Sequence, residues 1–125
     1  MKLSLHYTLQ SNGRWAEEYK GFLEEALLAE RRKFSALYVG EHHFADDGWC
    51  PSPFLPLSGA ATITRKLRLG TDIIVLPLHN PFEIAEHVAV LDTLSSGRAI
   101  LGVGLGYRPE EYAAFKSDIS RRNSG

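Results

Sequence analysis

The chain has 125 residues, a formal net charge of −1, 44% apolar residues and a single cysteine. That length supports one domain with an ordinary core. The balanced charge excludes a basic footprint for nucleic acid, no apolar run reaches the roughly 18 residues of a membrane span, and the lone Cys50 excludes an internal disulfide and suits a reducing, cytoplasmic setting.

Leu3, Leu5, Tyr7 and Leu9 alternate with polar residues and predict a first strand, closed by the turn Ser11-Asn12-Gly13. The alternation and the histidine within it set this stretch apart from a signal-peptide core. From Trp15 the period changes, and Trp15, Tyr19, Phe22, Leu23, Ala26, Leu27 and Glu30 share one helical face. Glu17 and Glu18 open that helix and Arg31, Arg32 and Lys33 close it, in keeping with the macrodipole. Phe34 to Val39 reads as a second strand, and Glu41-His42-His43-Phe44-Ala45-Asp46-Asp47-Gly48 as the polar segment leaving it. Ser52-Pro53 opens a second helix.

Leu67 to Leu76 is rich in leucine and β-branched residues and reads as a strand buried on both faces, ended by Pro77. Asn80, Pro81 and Glu83 then occupy the N-cap, N1 and N3 positions of a third helix. Ile84, Ala85, Val88 and Leu91 recur at helical spacing, and Gly97 supplies the left-handed residue at its end. Arg98 to Val103 is a fourth strand running into glycines, and a fourth helix begins near Pro109-Glu110. Strands joined by helices of this length lie parallel with right-handed crossovers. The order β-α-β-α-β-α-β suits an α/β domain over residues 1–125. It fits either an open doubly wound sheet or the first half of a (β/α)8 barrel, which normally needs about 250 residues. Both place function in the loops beyond the C-terminal strand ends, here those starting at Glu41, Pro77 and Gly104.

His42 and His43 are adjacent at a strand end, so their side chains should point to opposite sides. A neutral imidazole there can donate a proton to a bound reactant, or accept one, near pH 7; the alternative is a histidine satisfied by loop backbone. Glu41, His42, His43, Asp46 and Asp47 have no metal-ligand spacing, so no metal is expected. Gly102-Val103-Gly104-Leu105-Gly106 fails the dinucleotide fingerprint, because the third glycine should fall later. Those glycines admit either a flat ligand or a neighbouring backbone. Cys50, without a paired base, reads as a bystander.

Glu41-His42-His43-Phe44, followed in order by Leu69-Gly70-Thr71, Asn80-Pro81, Ala85-Glu86, Leu91-Asp92, Leu94-Ser95, Gly97-Arg98, Gly102-Val103-Gly104 and Gly106-Tyr107, resembles the bacterial-luciferase-like flavin monooxygenase family. The resemblance implies a (β/α)8 TIM barrel that binds reduced FMN, delivered by a partner flavin reductase. Such an enzyme uses O2 to oxygenate a small organic substrate such as an aldehyde or alkane, and works as a homo-oligomer. Glu-His-His-Phe sides with the FMN branch over the relatives that use F420. Carried over by position, His42 is the active-site histidine beside the flavin. Thr71, Asp72 and Ile73 form the third-strand segment behind its ring, where relatives carry a non-prolyl cis peptide. Gly104 and Tyr107 line the pocket after the fourth strand. The acidic Asp72 departs from the small residues common at its position. Gly104 stands where true luciferases have a reactive cysteine, and Leu105 where they have a basic residue facing the flavin phosphate, so light emission is not expected. Arg121 or Arg122 could replace that cation.

Length is the larger departure, since members of the family have two to three times this many residues. A truncated product, a half barrel paired with another copy, or a non-catalytic flavin-binding or oligomer-forming module would each account for it. Any half barrel leaves open sheet edges at the first and fourth strands and exposes the face meant for the barrel interior.

Overall fold

The structure, a computed structural model, describes residues 1–120. The elements follow as β1 (Ser4–Tyr7), α1 (Trp15–Arg31), β2 (Ala36–Val39), α2 (Phe54–Ile63), β3 (Arg68–Thr71), β4 (Ile74–Val75), a single 3₁₀ turn (Leu76–Leu78), α3 (Pro81–Leu94), β5 (Ala99–Ile100), β6 (Val103–Gly104) and α4 (Pro109–Ala114). The main sheet is parallel in the order β1-β2-β3-β5, and β4 pairs with β6 in a short parallel ladder beyond it.

Register decides which residues meet. Leu5, Leu37, Leu69 and Ala99 stand abreast across the sheet. They face the helices and join Phe22, Ala26 and Ala29 of α1, Leu57, Ala60 and Ala61 of α2, and Leu91 of α3 in one apolar cluster. Alanines on both helices let them approach the sheet closely, as close-packed interiors require. The next row, His6, Tyr38, Gly70 and Ile100, lies on the opposite face. There a side chain at Gly70 would collide with the Tyr38 ring, since a Cβ would sit 2.6 Å from it.

Two expected strands are each divided. The third is interrupted at Asp72-Ile73, whose peptide bond is cis, and the 3₁₀ turn replaces its end. The fourth breaks between Ile100 and Val103. Both breaks meet at one clasp: the Thr71 hydroxyl donates to the Gly102 carbonyl at 2.8 Å and accepts from the Gly102 amide at 3.0 Å. A side chain bonds there where a ladder would otherwise continue, and the strands resume as β4 and β6.

Two charged residues are structural fasteners. Glu30, the polar member of the apolar face of α1, accepts the backbone N–H groups of Arg65, Lys66 and Leu67 at 2.6–2.9 Å. Burial would raise its pKa, but these three donors outweigh that and hold it low. The buried Arg98 donates to the carbonyls of Ala61, Thr64, Leu67 and Ser95 and to the Thr64 hydroxyl, joining the ends of α2 and α3 to the start of β5. The start of α3 is as the sequence reads, with the Asn80 side chain accepting the Phe82 N–H at 2.9 Å and Pro81 at N1. Its end turns through Ser96 and Gly97, both at positive φ.

The Arg98 fork cannot be reproduced by a single ammonium, which would leave buried carbonyls unpaired. Arg98→Lys is expected to destabilise the domain by roughly 2–4 kcal/mol, read from the urea-unfolding midpoint at constant slope.

Candidate active site

Beyond β2 the chain must pass close to β3. A Cβ on Gly40 would sit 2.9 Å from the Asp72 carbonyl oxygen and 3.4 Å from the His6 ring, so glycine permits the approach. Glu41, His42 and His43 follow, and the loop they open is held by bonds from His42 N to Cys50 O at 3.2 Å and from Cys50 N to Thr8 O at 2.9 Å. The two histidines diverge, each toward its own buried carboxylate.

His43 turns to Glu41, where Nε2 donates to Oε1 at 2.6 Å. His79, just after the 3₁₀ turn, donates its Nε2 to the same oxygen at 2.5 Å, and the Val75 amide donates to Oε2 at 2.6 Å. One buried carboxylate therefore ties the exit of β2 to β4 and to the approach to α3. Burial pushes the Glu41 carboxyl up, but the donors from His43, His79 and Val75 prevail and lower it. The His79 imidazole is raised, first by its hydrogen bond to Glu41 and against the effect of its own burial.

His42 turns to Glu111 in the first turn of α4, 69 residues away, and its Nδ1 lies 2.9 Å from Oε1. The same oxygen accepts the His43 backbone N–H at 2.8 Å, and Arg108 Nη1 lies 3.6 Å from it. Arg108 also donates to the His43 carbonyl and pairs with Glu110. The His42 ring is wedged edge-on between Trp49, with centroids 4.5 Å apart, and Tyr107, at 5.6 Å. Its Nε2 has no hydrogen-bond partner among the described residues.

The remaining sequence-predicted residues lie around this centre in different states. Thr71 is buried and its hydroxyl is engaged by Gly102. Asp72 is exposed at its carboxylate, while its carbonyl accepts from His6 Nε2 at 2.8 Å. Ile73 packs against Gly104, where a Cβ would approach the Ile73 side chain to 2.8 Å. A Cβ on Gly102 would strike the Thr71 carbonyl and one on Gly106 the Val75 side chain. The alternate glycines thus face the segment Thr71–Val75, so close strand approach accounts for them. Leu101, Val103, Leu105 and Tyr107, which flank and alternate with them, are exposed. Arg121 and Arg122 lie outside the described residues. Cys50 is buried and its thiol is raised, chiefly by that burial, which keeps it protonated.

Glu41, His43 and His79 are the described residues that could share an ion, their ligand atoms lying within 4.8 Å of one another. Their direct contacts of 2.5–2.6 Å are hydrogen bonds. Ligands about 2.0–2.2 Å from a tetrahedral metal stand about 3.3 Å apart, so an ion would have to break this arrangement. A cavity of about 410 Å³ lies not at His42 but between α2 and α3, and Glu41, His79, Leu55 and Val90 are among the residues that line it. Polar groups converge at His42, whereas the lining of this cavity is mostly apolar.

Glu111, Arg108 and His79 escape the sequence reading. Glu111 reads as an ordinary first-turn acid and His79 as the residue before an N-cap. Only the fold brings them within reach of the paired histidines.

The chain matches the model of the luciferase-like monooxygenase family over residues 3–123. It is 44% identical over 89 residues to 4-hydroxyprotoasukamycin monooxygenase of Streptomyces nodosus subsp. asukaensis, covering 71% of this chain and 24% of that protein. It is 34% identical over 107 residues to the oxygenase component of the flavin-dependent trigonelline monooxygenase of Acinetobacter baylyi, covering 86% of this chain and 30% of that protein. The oxygenating constituent of 3,6-diketocamphane monooxygenase from Pseudomonas putida, a type II Baeyer-Villiger monooxygenase in complex with FMN, superposes with a TM-score of 0.88 at 20% identity. That match covers 98% of this chain and 37% of that one and concerns the fold alone. The chain spans less than a third of the length of either curated relative. The four βα units are the first half of a luciferase-like (β/α)8 barrel.

The Glu41 cluster should give stability a two-sided pH dependence. The lowered Glu41 carboxyl stabilises the fold above the ordinary carboxylate range, and this is lost as pH falls through its folded value. The raised His79 contributes fully below its ordinary 6.5, and this is lost as pH rises through its folded value. His79→Gln, which can still donate to Glu41, should abolish the alkaline decline and keep the acid one, as read from unfolding midpoints across that range.

Proposed function

The chain belongs to the luciferase-like monooxygenase family, and on that premise we propose that it carries the histidine centre of an FMN-dependent, O2-using monooxygenase acting on a small organic substrate such as an aldehyde or alkane. The observation that supports this most is His42, oriented by a buried carboxylate, wedged between two aromatic rings and left with a free Nε2. Reduced FMN, when bound, supplies the electrons that activate O2 for transfer of one oxygen atom to substrate. His42 is the group that hydrogen-bonds flavin or substrate and moves a proton at Nε2. Ile73 and Tyr107 offer apolar and aromatic surface to a flat ring, the exposed Asp72 borders it, and Thr71 and Gly104 fix the backbone beneath. We assign reduced-flavin supply to a separate reductase, FMN rather than F420 as the cofactor, and the cytoplasm as the setting. No described helix is long and apolar enough to cross a membrane.

A homo-oligomer accords with the outer helices. Leu55 on α2 and Val90 on α3 line the apolar cavity and are exposed, and Phe82 on α3 is exposed as well, a surface that a second copy would cover. The second reading, a flavin-binding or oligomer-forming half barrel without turnover, draws on the same exposed apolar face.

FMN titration followed by flavin fluorescence should give saturable, micromolar binding. With the complementary half of the barrel supplied and a flavin reductase present, His42→Ala should lower oxygenation of a long-chain aldehyde about 10²-fold or more while FMN affinity changes little. Flavin binding with no His42-dependent turnover would favour the second reading. A completed barrel that binds neither FMN nor F420 would exclude both.

A further inference from the structure

Glu111 is fully buried, yet among the described residues only one of its oxygens is used: Oε1 accepts from His42 and from the His43 backbone, while Oε2 has no partner there. A buried carboxylate with an orphaned oxygen is costly, and an apolar residue of similar shape would fill the space without that cost. The fold nevertheless fixes it firmly. The neighbouring Tyr112 is buried with Val75 and Leu78, and its hydroxyl donates to the Leu105 carbonyl, so α4 cannot rotate Glu111 away from the histidines.

We propose that Glu111 is a positioning residue that holds His42 in the Nδ1–H tautomer, leaving the Nε2 lone pair directed out of the Trp49–Tyr107 wedge as the proton acceptor of the site. A carboxylate only accepts, so the His42 nitrogen 2.9 Å away must carry the hydrogen, and in a neutral imidazole the other nitrogen is then unprotonated. When Nε2 takes a proton, the resulting imidazolium lies against the Glu111 charge, which favours the transfer. The assignment also gives the adjacent histidines separate tasks. His43, engaged through Nε2 by Glu41, is locked to the scaffold, whereas His42, engaged through Nδ1 by Glu111, keeps Nε2 free.

The inference deepens the reading of His42 given above, but its first test needs no flavin. Long-range proton–nitrogen correlation spectra of the full chain, labelled with 15N-histidine, report which ring nitrogen is protonated. His42 should be the Nδ1–H tautomer in the wild type and in Glu111→Gln, which retains an acceptor oxygen, and should move to Nε2–H in Glu111→Leu. A wild-type His42 in the Nε2–H form overturns the proposal even if the leucine variant fails to fold, and so does an unchanged tautomer in a folded Glu111→Leu. In the completed barrel, Glu111→Gln should lower kcat about 10-fold or more with KM and FMN affinity within about twofold, because charge is lost and shape is kept. An unchanged kcat would overturn the catalytic part of the assignment. Absence of flavin turnover in the wild type would instead count against the functional reading and leave the tautomer to decide the role of Glu111.

Discussion

The Glu41 carboxylate is the point on which the active face of this fold depends. It is buried, and its two oxygens take donors from three segments: His43 in the loop after β2, Val75 in β4 and His79 after the 3₁₀ turn. A buried charge is tolerable only when its hydrogen-bonding capacity is met, so the three segments must keep their relative positions for Glu41 to remain inside. That requirement fixes the path of the chain at the C-terminal ends of β2 and β3. It also turns His43 inward, which sends its neighbour His42 the other way.

Glu111 completes the arrangement from the far side. Its Oε1 holds both the His42 ring and the His43 backbone, so Glu111 grips the peptide between the two histidines while Glu41 holds the His43 ring. The β4–β6 ladder and its satellite cluster of Val75, Leu78 and Tyr112 are what bring α4 close enough for this. Close approach of that ladder in turn relies on glycine at 102, 104 and 106, which face Thr71, Ile73 and Val75. Composition in the glycine run, packing of α4 and orientation of His42 are therefore successive links of one chain of cause.

Much of this was legible in the residues. The alternation of Leu5 and Tyr7, the helical spacing from Trp15 and the Asn80-Pro81 start each reflect a local rule, and each element formed where that rule placed it. Divergence of His42 and His43 was also readable, although both lie in the loop beyond β2 and it is their separate carboxylates, not a strand, that turn them apart. The division of the third and fourth strands was not, because it depends on the Thr71–Gly102 clasp between residues 31 apart, which no local pattern encodes. Glu30 is a similar case: on a helical wheel it is a flaw in an apolar face, and only its three backbone donors explain it. Glu111 and His79 lie furthest from sequence reasoning, since their meaning arises from contacts 69 and 38 residues away. The sheet order leaves β1 and β5 as outer strands, and Leu101, Val103, Leu105 and Tyr107 remain exposed near the latter edge, as a half barrel requires.

The most direct test of the two-carboxylate grip is backbone hydrogen exchange at Val75 and His43, the two amides that donate to Glu41 and Glu111. Both should exchange as slowly as the amides of β2 and β3, and Glu41→Gln should release Val75 well before those strands open. If Val75 and His43 exchange in the wild type at the rate of an exposed loop, the carboxylates do not hold the site, and this account of how His42 is oriented is wrong.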